Sequence, residues 1–106
     1  GVIVAKDLYF PETARVLALC DADVIICLFK KLENSIPQIM LRASAFSNGV
    51  ATALCAKNYA MVADVRGNIK IASALDIVKT KIKIEKDYHL IESRRRGLYR
   101  DFNSGY

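Results

Sequence analysis

The sequence lacks any apolar stretch long enough to cross a bilayer. None of its runs reaches the roughly 18 to 20 uncharged residues that a membrane-spanning helix needs. The opening also lacks the basic start and the cleavage site of a signal peptide, and no internal repeat or low-complexity run occurs. These absences argue against a membrane protein and make the cytoplasm the expected location.

Cysteine and histidine are too few and too scattered to predict a metal site or a disulfide framework. The cysteines are Cys20, Cys27 and Cys55, an odd number in apolar surroundings and without metal-ligand spacing. We expect all three to be reduced thiols packed in the core. The only histidine, His89, could be a general base but has no nucleophile beside it, so a surface residue is expected. The sequence therefore predicts no metal and no cofactor.

Length and composition predict one small folded domain. The chain has 106 residues, of which 53% are hydrophobic and 25% charged. A chain of this composition forms a core, but a domain this short buries a smaller share of its surface than a larger one does.

Strands and helices alternate along the first half of the chain. Residues 2–5 form an apolar run suited to a buried strand, and Pro11 suits the first turn of a helix that ends at about Leu19. Asp23 to Phe29 predicts a second buried strand. Ser35 and Gln38 have the spacing of a capping box that begins a second helix, and Asn48-Gly49 would end it. The expected apolar face of this helix consists of Ile36, Ile39, Met40, Ala43 and Phe46.

The second half of the chain predicts strands and hairpins. Residues 50–56 and 60–65 are apolar and partly β-branched, and Arg66-Gly67-Asn68 would turn the second strand into Ile69-Lys70-Ile71. A last strand at residues 78–84 alternates apolar side chains with lysines, so one of its faces is expected to be solvated.

The charge of +5 leaves a nucleic-acid-binding function open. The positive charge is concentrated at residues 79–83 and 94–100, and Tyr99 and Phe102 could stack on bases. No nucleic-acid-binding motif accompanies it, and lysines also protect an edge strand from unwanted pairing. Nucleic acid is therefore an unlikely partner on this evidence.

The first dozen residues, from Gly1 to Glu12, resemble part of the nitrilase, or carbon-nitrogen hydrolase, superfamily. In that family an apolar strand enters a sharp turn bearing Cys-aromatic-Asp/Glu, followed by Phe-Pro-Glu and a helix. Here Phe10-Pro11-Glu12 is present. Residues 22–26 resemble the family's following strand, residues 41–50 its Leu-Arg-Ala-Arg-Ala-x-Glu-Asn-Gly helix end, and residues 62–69 its Val-Asp-Pro-x-Gly hairpin.

The resemblance implies the frame of an active site without its nucleophile. Ala5 stands where the family has its cysteine, the backbone N–H of Lys6 stands where it has an oxyanion-hole donor, and Asp7 would hold the turn by accepting backbone N–H bonds. Lys6 also departs from a usually aromatic position. Arg15 and Arg42 fall at family arginines, but helix-surface ion pairs explain them better than substrate binding. The short Lys57-Asn58-Tyr59 connection replaces a longer loop that walls the family's pocket.

The resemblance also implies a fold class and a domain division. The family domain is an α-β-β-α sandwich about twice as long as this chain, so residues 1–86 would be its C-terminal half. That half is an α/β structure: one small, mostly buried sheet with two helices on one face. Residues 87–106 would be a basic, extended C-terminal tail of the kind that such chains lay against a partner subunit.

Two functions follow from the resemblance. In the first, the chain is catalytically inactive alone and acts as an interaction or scaffold half-domain. In the second, it is one component of a split carbon-nitrogen hydrolase that cleaves amide or nitrile C–N bonds with a partner, because the missing half would carry the family's catalytic glutamate and lysine. Both predict a homo-oligomer or a complementary chain that covers the exposed face of the sheet.

Overall fold

A computed structural model describes residues 1–74 and 80–81 and shows a mixed sheet with helices between its parallel strands. The strands are β1 (Val2–Val4), β2 (Val24–Leu28), β3 (Ala51–Ala56), β4 (Tyr59–Ala63) and β5 (Ile69–Ser73). The helices are α1 (Pro11–Leu19) and α2 (Ile36–Asn48), and a short 3₁₀ helix spans Ala5–Tyr9. The predicted α/β fold class is confirmed.

The strands lie side by side in chain order. β1, β2 and β3 are parallel, and α1 and α2 are the two crossover connections between them. Such connections are almost always right-handed, so when strands follow each other in one direction their helices cover the same face. This geometry agrees with the prediction of two helices on one side of the sheet.

Antiparallel hairpins complete the sheet. β3 pairs with β4, and β4 pairs with β5, with a register shift between Val62 and Ala63. The Asp64 carboxylate accepts hydrogen bonds from the backbone N–H groups of Arg66 (2.9 Å) and Asn68 (3.0 Å), which holds the second turn. The predicted hairpin at residues 66–68 is therefore confirmed.

The core lies between the sheet and the helices. On β1 to β4, alternate side chains point toward the helices and are excluded from solvent, as the period of two residues requires, whereas no residue of β5 is fully buried. The largest fully buried side chains are Ile3, Leu8, Ile25, Cys27, Leu41, Val50, Thr52, Leu54 and Met61.

The start of α2 differs from the predicted capping box. Ser35 has helical backbone angles and makes no side-chain capping bond. Instead, the Asn34 side-chain oxygen accepts a hydrogen bond from the Ile36 N–H at 2.9 Å. The other end is as predicted, because Gly49 adopts the left-handed conformation (φ 63°) and its N–H donates to the Ala45 carbonyl.

The predicted apolar face of α2 was wrong. Ile36, Ile39 and Phe46 are 51%, 60% and 54% exposed. The buried positions lie on the neighbouring side of the helix: Pro37, Leu41, Ser44, Ala45 and Asn48. Small and polar residues are buried there because α1 packs against this side, and Arg15 on α1 bonds to Asn48. An apolar stripe alone did not show which side of the helix meets the sheet.

Several predictions concern residues outside the described part of the chain. The strand at residues 78–84 falls there except for Thr80 and Lys81, and so does the boundary at residue 86. The tail at residues 87–106, His89 and the basic segment at residues 94–100 also lie outside it. These remain predictions.

Candidate functional site

The turn at Ala5 is the most strained point at the end of the parallel strands. β1 ends at Val4, one residue earlier than predicted, and Ala5 has a φ of 50° before the chain enters the 3₁₀ helix. An alanine in the left-handed region costs free energy because its Cβ approaches the following carbonyl oxygen. Non-glycine residues in this conformation concentrate at functional turns. The structure thus places a sharp strand-to-helix turn at the position assigned to the family nucleophile.

Asp7 lies in this turn, and the turn-supporting role expected for its carboxylate remains a prediction. Its side chain is exposed, and the bond that closes the turn is a main-chain one, from the Phe10 N–H to the Asp7 carbonyl at 3.3 Å. Leu8 anchors the 3₁₀ helix, since its side chain is 1% exposed in the core.

A cleft of about 260 Å³ opens beside this turn. Its floor and walls come from the 3₁₀ helix, from the connection after β2 and from the start of α2. The lining residues include Ala5, Lys6, Tyr9, Phe29, Lys30 and Lys31. Lys6 therefore lines the cleft, whereas the role of its backbone N–H as an oxyanion donor remains a prediction.

The connection between β2 and α2 is fixed by Asn58. The Asn58 side chain accepts a hydrogen bond from the Leu32 N–H (2.9 Å) and donates one to the Leu32 carbonyl (3.1 Å). The Lys57 N–H also donates to the Lys30 carbonyl at 3.1 Å. Sequence reasoning treated residues 57–59 only as a shortened loop and missed this contact. An asparagine side chain can satisfy both backbone groups of one distant residue, but no local pattern identifies that residue.

The surface of the sheet opposite the helices is the second notable feature. We call it the outer face: Val2, Val4, Ile26, Leu28 and Cys55 are exposed there, and the β1–β2–β3 register places them side by side. Val2 and Val4 are each 57% exposed, Leu28 42% and Ile26 38%. Alternation along the next strands brings Ala53, Ala60, Val62 and Ile71, all partly buried, to the same face. The prediction of a mostly buried sheet thus holds for its helix side, while its outer face is apolar and accessible within the described residues.

The arginines tie structural elements together. The Arg15 guanidinium donates to the Asn48 side-chain oxygen and to the Ser47 carbonyl (3.1 Å), linking α1 to the end of α2. The Arg42 Nε donates to the Gly67 carbonyl at 2.8 Å, linking α2 to the β4–β5 turn. A backbone carbonyl therefore takes the place of the carboxylate partner expected for Arg42. Neither arginine is among the residues that line the cleft beside Ala5.

The expectation of three core cysteines was wrong for two of them. Cys27 is fully buried, and burial raises the pKa of its thiol to about 11, with a further contribution from Cys55. Cys20 is exposed at the end of α1, and Cys55 is exposed on the outer face. The apolar residues around Cys55 in the sequence did not show that its side chain lies on the exposed face of β3.

Searches for a metal centre and for a membrane span gave no candidate in the described ranges. Among residues 1–74 and 80–81, no group of three or more His, Cys, Asp or Glu side chains could hold a metal ion. In the same part of the chain, no helix has the length and apolar character needed to cross a membrane.

Solved structures share this fold, although no protein-family model and no curated protein matches the chain. A carbon-nitrogen hydrolase from Helicobacter pylori G27 superposes with a TM-score of 0.70 and 16% identity, over 100% of this chain and 49% of its own. The NitN amidase from Nesterenkonia sp. AN1 gives 0.68 and 22%, over 95% and 44%. An amidase variant from the same source with a cysteine-to-alanine substitution, in complex with butyramide, gives 0.66 and 22%, over 95% and 42%.

These similarities confirm the predicted resemblance at the level of fold. The chain spans less than half the length of each of these proteins, and the identities are too low to show more than architecture. The described residues therefore have the fold of about half of a nitrilase-superfamily domain.

Proposed function

We propose that this chain is the C-terminal half of a carbon-nitrogen hydrolase-like domain, inactive by itself, and that its outer face binds a complementary half-domain. The observation that carries this proposal is the apolar outer face of a sheet that contains three parallel strands. All-parallel sheets occur almost only where both faces are covered, and β1, β2 and β3 form the parallel part of this mixed sheet.

Inactivity of the chain alone follows from the chemistry at the turn. Acyl transfer of this kind needs a thiolate that attacks the carbonyl or nitrile carbon, and the methyl group of Ala5 has no nucleophilic atom. Neither of the two cysteines in the sheet, Cys27 and Cys55, is placed to act as the nucleophile in its stead. Cys27 is buried with a raised pKa, and Cys55 points to the outer face rather than into the cleft.

The side chains of the outer face support an interface. One contiguous apolar surface spans β1 and β2, and it consists of the uncharged side chains Val2, Val4, Ile26 and Leu28. A contiguous apolar patch on a sheet marks a binding surface more often than scattered exposed residues do. Burying such side chains contributes about 25 cal/mol for each Å² of apolar surface removed from water.

A matched pair of substitutions tests which surface binds. Val4 on the outer face and Val16 on α1 are 57% and 56% exposed, so Val4→Lys and Val16→Lys make the same chemical change at equal accessibility. We expect native light scattering to show an assembly that Val4→Lys dissociates and Val16→Lys preserves. Denaturing intact mass of the same sample would show whether the assembly holds a second polypeptide or two copies. A monomer at all concentrations, or equal effects of both substitutions, would contradict the proposal.

The strained turn supports a second candidate, a component of a split hydrolase. Ala5 keeps a left-handed conformation that a nucleophile would use, and the turn opens onto the cleft. The test is to assay amide, nitrile and carbamoyl substrates with the native protein and with Ala5→Cys, each alone and with the complementary half. Turnover that requires both the cysteine and the partner would support this candidate. No turnover in any combination would eliminate it.

A further inference from the structure

The cleft beside Ala5 carries more positive than negative side chains, and binding of a half-domain on the outer face does not explain this charge. Three of the described residues that line it are lysines, Lys6, Lys30 and Lys31, and its one lining carboxylate is Glu33. Lys6 comes from the 3₁₀ helix, whereas the other two follow directly after β2. Cations grouped around one cleft attract anions into it and raise their local concentration.

Aromatic rings form the apolar wall of the same cleft. The Tyr9 and Phe29 ring centroids are 6.3 Å apart, with an interplanar angle of 47°. Tyr9 and Phe29 both line the cleft, together with Ala5, Leu32 and Pro37. The cleft thus combines a cationic rim with an apolar wall, which is the pattern of a site for a small molecule with one charged end.

The cationic segment is held in place before any ligand binds. The Phe29 N–H donates to the Cys55 carbonyl at 2.9 Å, and the Lys30 carbonyl accepts from the Lys57 N–H at 3.1 Å. The Asn58 side chain fixes Leu32 through two hydrogen bonds. A segment tied at three successive points loses little conformational freedom on binding, which favours affinity.

We propose that this cleft binds a small organic anion, a carboxylate or a phosphate monoester attached to one flat apolar group. Its volume of about 260 Å³ is near the lower limit of ligand pockets, which suits a single ring with its charged substituent. Charge is the distinguishing feature: the cleft prefers an acid to the neutral amide of the same shape. The inference depends only on residues of this chain and stands whether or not a complementary half-domain binds the outer face.

The experiment is a titration of the native protein followed by two-dimensional NMR. Benzoate, phenyl phosphate and benzamide share a ring and differ in charge and in the anionic group. We expect benzoate or phenyl phosphate to shift the amide resonances of Lys6, Tyr9 and Phe29–Leu32. Benzamide should bind at least about fivefold more weakly, because one exposed ion pair contributes up to about fivefold and three lysines line the cleft. The better of the two anions identifies the group. Benzamide binding as tightly as both anions, or no shifts at these residues, would overturn the proposal.

Single lysine substitutions separate the cleft from the overall charge of the protein. Lys30→Gln and Lys31→Gln should each weaken anion binding about two- to fivefold. Lys70→Gln removes the same charge from β5, outside the cleft, and should leave the affinity unchanged. An equal loss in all three variants would show that the anion responds only to net charge and would refute a site in the cleft.

Discussion

Replacing Ala5 with glycine is expected to preserve or increase stability, although the same substitution inside a helix is destabilising. Ala5 has a φ of 50°, where an L-residue is disfavoured by about 1–2 kcal/mol and glycine is not. Glycine also gains about 0.4–1 kcal/mol of conformational freedom in the unfolded chain, which offsets part of this relief. The net expectation for Ala5→Gly is therefore roughly 0 to 1.5 kcal/mol of added stability.

The matched control is Ala43→Gly on the exposed side of α2. There the backbone is helical, so glycine should lower stability by about 1 kcal/mol. Urea unfolding followed by circular dichroism measures both variants, and the expected difference between them is about 1 to 2.5 kcal/mol. A loss for Ala5→Gly equal to that for Ala43→Gly would refute the strained turn and weaken the assignment of Ala5 to the nucleophile position.

Three further predictions follow from the core and the hairpin. Gly67 has a φ of 79°, and a Cβ there would lie 2.8 Å from the Arg42 carbonyl oxygen, so Gly67→Ala should lower the unfolding free energy by about 1–3 kcal/mol in a urea titration. The buried Thr52 hydroxyl has no hydrogen-bond partner among the described residues, so Thr52→Val should raise the melting temperature, and a lower one would contradict that environment. The pKa of Cys27 is raised from 9.0 to about 11, so its contribution to stability is complete below pH 9 and is lost as the pH rises to 11. The free energy of unfolding, measured between pH 9 and pH 11, should therefore fall less steeply for Cys27→Ala than for the native protein.

The pH dependence at the hairpin has the opposite sign. Burial alone would raise the pKa of the Asp64 carboxyl, but hydrogen bonds from the Arg66 and Asn68 N–H groups and the nearby Lys70 charge outweigh it and lower the pKa. A lowered pKa adds stability that is present above the unfolded value of 3.8 and is lost as the pH falls through the folded value. This carboxylate therefore belongs to the acid limb of the stability profile, and Cys27 to the alkaline limb.

Local signals predicted most of the elements. The apolar run at residues 2–5 and the proline at position 11 gave β1 and α1 to within one residue, since strand length and the fixed φ of proline are local properties. Gly49 and Gly67 marked a helix end and a turn, and both have positive φ angles. Each of these features depends on a residue's own backbone preference.

The features that sequence reasoning missed depend on contacts between distant residues. Which side of α2 packs inward is decided by α1, through the contact of Arg15 with Asn48, and not by the hydrophobicity of α2 alone. The exposure of Cys55 depends on which face of the sheet the helices cover. The connection that carries Lys30 and Lys31 is held by backbone hydrogen bonds to Cys55 and Lys57 and by the side chain of Asn58, which lies 26 positions from its partner Leu32. The sequence had suggested only a polar connection there.

The most direct test of an interface on the outer face compares the reactivity of its cysteine with that of Cys20. Both thiols are exposed in the chain by itself, but Cys55 lies on the outer face and Cys20 at the end of α1. Brief treatment of the native assembly with iodoacetamide, followed by peptide mass spectrometry, gives the modification rate of each cysteine. The account predicts that Cys55 is protected in the assembly and becomes as reactive as Cys20 when Val4→Lys dissociates it. Equal, rapid modification of both cysteines in the native assembly would contradict the account.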